Sequence, residues 1–126
     1  MQAAAELEKQ GIKAEVINLR SIRPLDIDTI IQSVKKTNRI ISVEGGWPMF
    51  GIGSEIAAQI MECIHFSCLF DQDWSCLAEA FKYLDAPLQR VTGADIPMPY
   101  AKILEENSLP KVDTIIRMAK KVCYKN

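Results

Sequence analysis

The 126-residue sequence has no long apolar run, no excess of charge of either sign and a single histidine, His65; each shortage removes a class of function. No stretch approaches the roughly 20 apolar residues that span a bilayer. Residues 1–10 lack the basic and apolar regions of a signal peptide. Lys and Arg number 15 against 16 Asp and Glu, a formal net charge of −1. That balance leaves no electrostatic footprint for nucleic acid or an anionic membrane surface. There is no C-x-x-C pair. Of four cysteines, Cys63, Cys68 and Cys76 cluster together instead of being spread as a disulfide framework would be, which favours a reducing compartment. No G-x-G-x-x-G, G-K-[ST] or G-x-S-x-G motif occurs.

What is present reads as strands alternating with helices. Ala3, Ala4 and Leu7 predict a helix that stops at Gly11, a natural C-terminal cap. Residues 14–19 are strand-like, Pro24 breaks the pattern, and Asp26 can cap a helix whose buried face is Ile27, Ile30, Ile31 and Val34. Ile40, Ile41 and Val43 make a short β-branched run. After it, Gly45-Gly46 permits backbone angles closed to other residues, and Pro48 cannot continue a ladder. From Ile52, apolar residues recur at helical spacing through Ile56 and Ile60, with Ala57 and Met61 alongside. A further strand is expected over 88–91, a short helix over 100–106, and a last helix starting near Pro110 with apolar positions Val112, Ile115, Ile116, Ala119 and Val122.

The order α-β-α-β-α-β-α implies one α/β domain, a three-layer α/β/α arrangement around a mostly parallel sheet joined by right-handed crossovers. A domain of this size buries roughly two thirds of the surface its unfolded chain exposes, enough for a core. Two features do not suit a complete domain. The chain opens inside a helix, so a first strand is missing, and residues 63–78 follow neither the helical nor the strand period.

Several residues could carry chemistry, each with a plainer structural reading. The glycine turn at 45–53 leading into a helix suggests a phosphate cradle, but its spacing is wrong and Trp47 and Phe50 fill it, so a structural turn is favoured. Cys63, His65, Cys68 and Cys76 could supply four zinc ligands, yet buried or half-buried thiols fit their apolar flanks better. His65 has no evident acid or nucleophile partner nearby, and Asp71, Asp73, Glu105 and Glu106 read as solvated faces. These residues describe a folded module without its own reaction centre.

Three stretches carry a family resemblance. They are Val16-Ile17-Asn18-Leu19-Arg20-Ser21-Ile22-Arg23-Pro24-Leu25-Asp26, then Val43-Glu44-Gly45-Gly46-Trp47-Pro48, then Gly93-Ala94-Asp95-Ile96-Pro97-Met98-Pro99-Tyr100-Ala101-Lys102-Ile103-Leu104-Glu105. Together they resemble the C-terminal transketolase-like domain of the pyruvate dehydrogenase beta subunit. The resemblance runs over 1–126, incomplete at its N-terminal side and interrupted at 63–78, where some sixteen residues look inserted.

The resemblance implies a place in the component that decarboxylates pyruvate and acetylates lipoyl groups, an α2β2 heterotetramer of the mitochondrial matrix or a bacterial cytoplasm. Its cofactors, thiamine diphosphate and Mg, are expected in the complete enzyme and not on this fragment, which inherits no catalytic, cofactor or metal residue. Implied partners are the alpha subunit, a second beta subunit and the subunit-binding domain of the dihydrolipoyl acetyltransferase; no nucleic acid and no membrane are expected. For that last protein partner the resemblance assigns docking to Asp85, in Leu84-Asp85-Ala86-Pro87, and to the chain-terminal carboxylate at Asn126. The plain reading of Asp85 is a turn residue. The other function considered is an autonomous α/β enzyme or ligand-binding module using the Gly45-Gly46 turn. A sheet lacking its first strand is also expected to show an unpaired edge and to associate.

Overall fold

A computed structural model describes residues 1–62 and 79–124. The proposed insert at 63–78, the four-ligand zinc alternative with His65, and Asn126 lie outside those residues. The elements are α1 (Gln2–Lys9), α2 (Ile27–Thr37), β1 (Ile41–Val43), α3 (Ile52–Glu62), α4 (Glu79–Lys82), β2 (Gln89–Val91), α5 (Lys102–Ser108) and α6 (Val112–Val122).

The helices stand where periodicity and caps put them. Asp26 accepts a hydrogen bond from the Thr29 backbone N–H and starts α2, which ends at Asn38 in the left-handed region. Gly11, at φ +75°, turns the chain out of α1 while its N–H donates to the Glu8 carbonyl and that of Ile12 to the Leu7 carbonyl. Pro110 lies two residues before the first residue of α6, and Lys111 is the N-cap.

β1 and β2 pair in parallel with Ile41 opposite Gln89 and Val43 opposite Val91. One face of this pair packs on a core of Ile30, Val34, Ile56, Ile60 and Ala80 from α2, α3 and α4. The other packs on Leu7, Ile12 and Ala119 from the α1 and α6 side. Three layers result, as an α/β reading requires.

Three expectations need correction. Residues 14–19 form neither helix nor strand and join no ladder, so the described sheet has two strands. Their pattern is nonetheless that of a strand: Ile17 and Leu19 pack against the α2 and α3 core, while Val16 and Asn18 are exposed. What fails is pairing, because a cavity separates the segment from β1. Secondly, Met61 is exposed, not part of the buried face of α3. Thirdly, neither Gly45 nor Gly46 has a positive φ; at this turn the left-handed residue is Phe50, φ 56°. Glycine is required here for close approach, since a Cβ on Gly93 would stand 2.6 Å from the Gly45 carbonyl oxygen.

Candidate docking site and the glycine turn

Asp85 lies in the short loop after α4, and three parts of the chain converge on it. Its backbone N–H donates to the Asn38 carbonyl at 2.9 Å, fastening the loop to the end of α2. Its carbonyl accepts from the Tyr124 hydroxyl at 3.1 Å, fastening it to the residues that follow α6. Between them stands Arg39, whose Nε donates to the Val122 carbonyl at 3.0 Å and whose Nη2 is 3.5 Å from Asp85 Oδ2. A guanidinium at the C-terminal end of α6 is also favoured by the helix dipole.

The Asp85 side chain remains 53% exposed. Oδ2 faces Arg39; Oδ1 has no partner among the described residues. The loop therefore presents a carboxylate oxygen to solvent on a backbone held at two points. The backbone makes the turn, as the plain reading expects, and the side chain faces out. The structure brings Asp85 to the last residues of α6, while Asn126 lies beyond the described residues. Sequence reasoning missed Arg39 and Tyr124 as neighbours of Asp85. Asn38, a favoured left-handed cap, could have signalled the chain reversal that delivers Arg39, but no spacing links residues 39, 85 and 124.

The glycine turn is closed to an anion. The Gly93 N–H donates to the Gly46 carbonyl at 2.9 Å. At the start of α3 a carboxylate already stands: Glu44 Oε2 accepts from the Gly53 N–H at 3.3 Å. A phosphate would meet that charge where a cradle needs free N–H groups. Arg90 braces the turn by donating to the Pro48 carbonyl at 2.6 Å and to Ser54 Oγ. Trp47 Nε1 donates to the Ile96 carbonyl at 3.0 Å, joining the Gly-Gly-Trp-Pro and Ala-Asp-Ile-Pro stretches in space. Ser42 Oγ and Glu44 Oε1 are buried beside Gly53 without a hydrogen-bond partner among the described residues. Among the described residues no three His, Cys, Asp or Glu side chains gather in metal-binding geometry, and no helix is long and apolar enough to cross a membrane.

The model of the transketolase C-terminal domain matches residues 1–69. The chain is 56% identical over 121 residues to the mitochondrial pyruvate dehydrogenase E1 component subunit beta of Rattus norvegicus, covering 96% of this chain and 30% of the relative. To the beta-2 subunit of that component in Oryza sativa subsp. japonica it is 50% identical over 125 residues, 99% of this chain and 29% of the relative. To the Saccharomyces cerevisiae subunit beta it is 53% identical over 123 residues, 97% of this chain and 30% of the relative. The chain thus spans about 30% of the length of the curated relatives it matches. With the family model matching more than half of the sequence and the three-layer arrangement agreeing with it, the chain belongs to the transketolase C-terminal domain family.

Proposed function

We propose that this chain serves as the C-terminal assembly and docking domain of a pyruvate dehydrogenase E1 beta subunit. It would act in the mitochondrial matrix, in the conversion of pyruvate to acetyl-CoA, and contribute no catalytic residue. The observation that carries this reading is Asp85: a half-exposed carboxylate, one oxygen without a partner among the described residues, on a loop fastened to the ends of two helices. Such a fixed charge suits a basic protein partner, since it loses little side-chain freedom on pairing. The partner is the subunit-binding domain of the dihydrolipoyl acetyltransferase, with the carboxylate of Asn126 as the second docking charge. The alpha subunit and a second beta subunit are the remaining partners.

Thiamine diphosphate and Mg belong to the complete enzyme in this reading. The residues described here do not suit them: the glycine turn presents carbonyl oxygens to Gly93, and Glu44 occupies the start of α3 where a diphosphate would need N–H donors. The same two contacts speak against a ligand-binding module built on Gly45-Gly46.

Asp85→Ala should weaken capture of the acetyltransferase subunit-binding domain by about 1–3 kcal/mol, with the larger effect at low salt. Tyr124→Phe, which removes only the hydrogen bond to the Asp85 carbonyl, should leave binding within a few-fold. Titration calorimetry on the full chain at two ionic strengths measures both. Equal affinity of the Asp85→Ala and unaltered chains at every salt concentration would remove the docking role.

A further inference from the structure

Ser108, the last residue of α5, is polar and buried, with 6% of its surface exposed, and its hydroxyl faces two acceptors. Oγ stands 2.7 Å from the Glu105 carbonyl oxygen and 3.2 Å from Met98 Sδ. A serine hydroxyl has one hydrogen, so it serves one acceptor at a time, but its oxygen holds the same place in either case. The backbone secures that place as well, because the Ser108 carbonyl accepts from the Ala94 N–H at 2.8 Å.

Met98 is held against this hydroxyl from its own side. It lies between Pro97 and Pro99, whose rings lock φ. The Ile96 N–H donates to the Ala94 carbonyl at 2.9 Å and the Ile96 carbonyl accepts from Trp47 Nε1 at 3.0 Å, so the segment leading to Met98 is tied to the glycine turn. Met98 is nevertheless 52% exposed. Its sulfur therefore has a buried hydroxyl on one side in a residue that solvent reaches. A thioether sulfur can take up oxygen at either of two lone pairs, which gives two sulfoxide epimers. Where both faces are open, both form. At Met98 an oxygen bonded on the Ser108 side would fall inside the van der Waals envelope of Oγ, and a close-packed interior gives Oγ nowhere to move. The other lone pair is left as the point of attack.

We propose that Met98 is a site of stereoselective oxidation by hydroperoxides, with Ser108 as the positioning residue that decides which sulfoxide epimer forms. The unshielded lone pair attacks one peroxide oxygen; the O–O bond breaks and an S–O bond forms. The proton on the transferred oxygen passes to the departing one, which leaves as water or an alcohol. Sulfur loses two electrons and the peroxide gains them. The product is a polar, chiral side chain where an apolar one stood, two residues from the Trp47 to Ile96 hydrogen bond. Because each epimer is reduced by its own enzyme, a single reductase suffices to reverse a modification that yields one epimer.

The test oxidises the 126-residue chain with hydrogen peroxide, once folded and once unfolded in guanidinium chloride, and digests both. The peptides are treated separately with the reductase specific for each sulfoxide epimer, and the sulfoxide that remains is measured by mass spectrometry. Met49 is the internal comparison: it is 66% exposed, and no hydrogen bond to its sulfur forms among the described residues. In the folded chain one epimer should exceed the other about tenfold at Met98, against a ratio within about twofold at Met49 and at Met98 of the unfolded chain. Ser108→Ala should bring Met98 of the folded chain to the same near-even ratio. A near-even ratio at Met98 in the folded unaltered chain overturns the proposal. So does a skew of equal size at Met49, or a skew at Met98 that a cooperatively melting Ser108→Ala protein retains. If Ser108→Ala does not fold, the comparison of Met98 with Met49 and with the unfolded chain decides.

Discussion

A methyl group added at Gly93 would land 2.6 Å from the Gly45 carbonyl oxygen, 3.1 Å from that of Gly46 and 3.3 Å from that of Ser108. All three obstacles are backbone, so no side-chain rotation relieves them, and Gly93→Ala should destabilise the domain by about 1–3 kcal/mol in a denaturant titration. Gly46 is the informative contrast. A Cβ there meets nothing within 4 Å and its φ is not positive, so Gly46→Ala should stay within about 0.5 kcal/mol of the unaltered chain. Equal loss at both positions would mean that the turn depends on glycine flexibility and not on close packing. The pair also separates what sequence could and could not supply. A cluster of glycines announces a turn, but the glycine that cannot change sits some fifty residues from the Gly45-Gly46 pair, and only the fold brings them together.

At the scale of the element, α2 was the most legible, because its cap, its apolar stripe and its left-handed end are all local signals. The cap has a measurable consequence. Thr29 holds the Asp26 carboxyl below its ordinary value of 3.8, first through its side-chain hydroxyl and then through its backbone N–H. A carboxylate whose folded pKa is depressed contributes stability that is fully present above the unfolded value and lost as pH falls through the folded one. Asp26→Asn should therefore flatten the decline of the melting temperature below about pH 4, the model-compound range of aspartate. An acid limb of identical slope in both proteins would show that the cap does not report in this way. Residues 14–19 were legible as a strand by alternation alone, yet pairing is a non-local property and the alternation says nothing about whether a neighbour is present. Sequence likewise placed Met61 with the apolar face of α3, where it is exposed; helical period marks a stripe but not where the stripe's packing stops.

For the whole molecule, two kinds of unfinished surface are distinguishable. The cavity beside β1 is a recess between the segment 14–19 and the strand, whereas Trp47, Met49, Phe50, Ile96, Met98, Ile103 and Leu104 are large apolar side chains left exposed. The Trp47 to Ile96 hydrogen bond ties the turn at 47–50 to the segment leading into α5, which Ile103 and Leu104 continue. Exposed apolar surface of that kind marks contact with another protein, as the proposed assembly role requires, and is separate from the half-exposed charge at Asp85. The isolated chain should accordingly associate through this region as its concentration rises. Ile103→Lys with Leu104→Lys, both on exposed positions of α5, should shift sedimentation toward the monomer while leaving the melting temperature nearly unchanged. Sedimentation unaltered by the double substitution would assign the association elsewhere and leave these apolar residues without the partner-binding role.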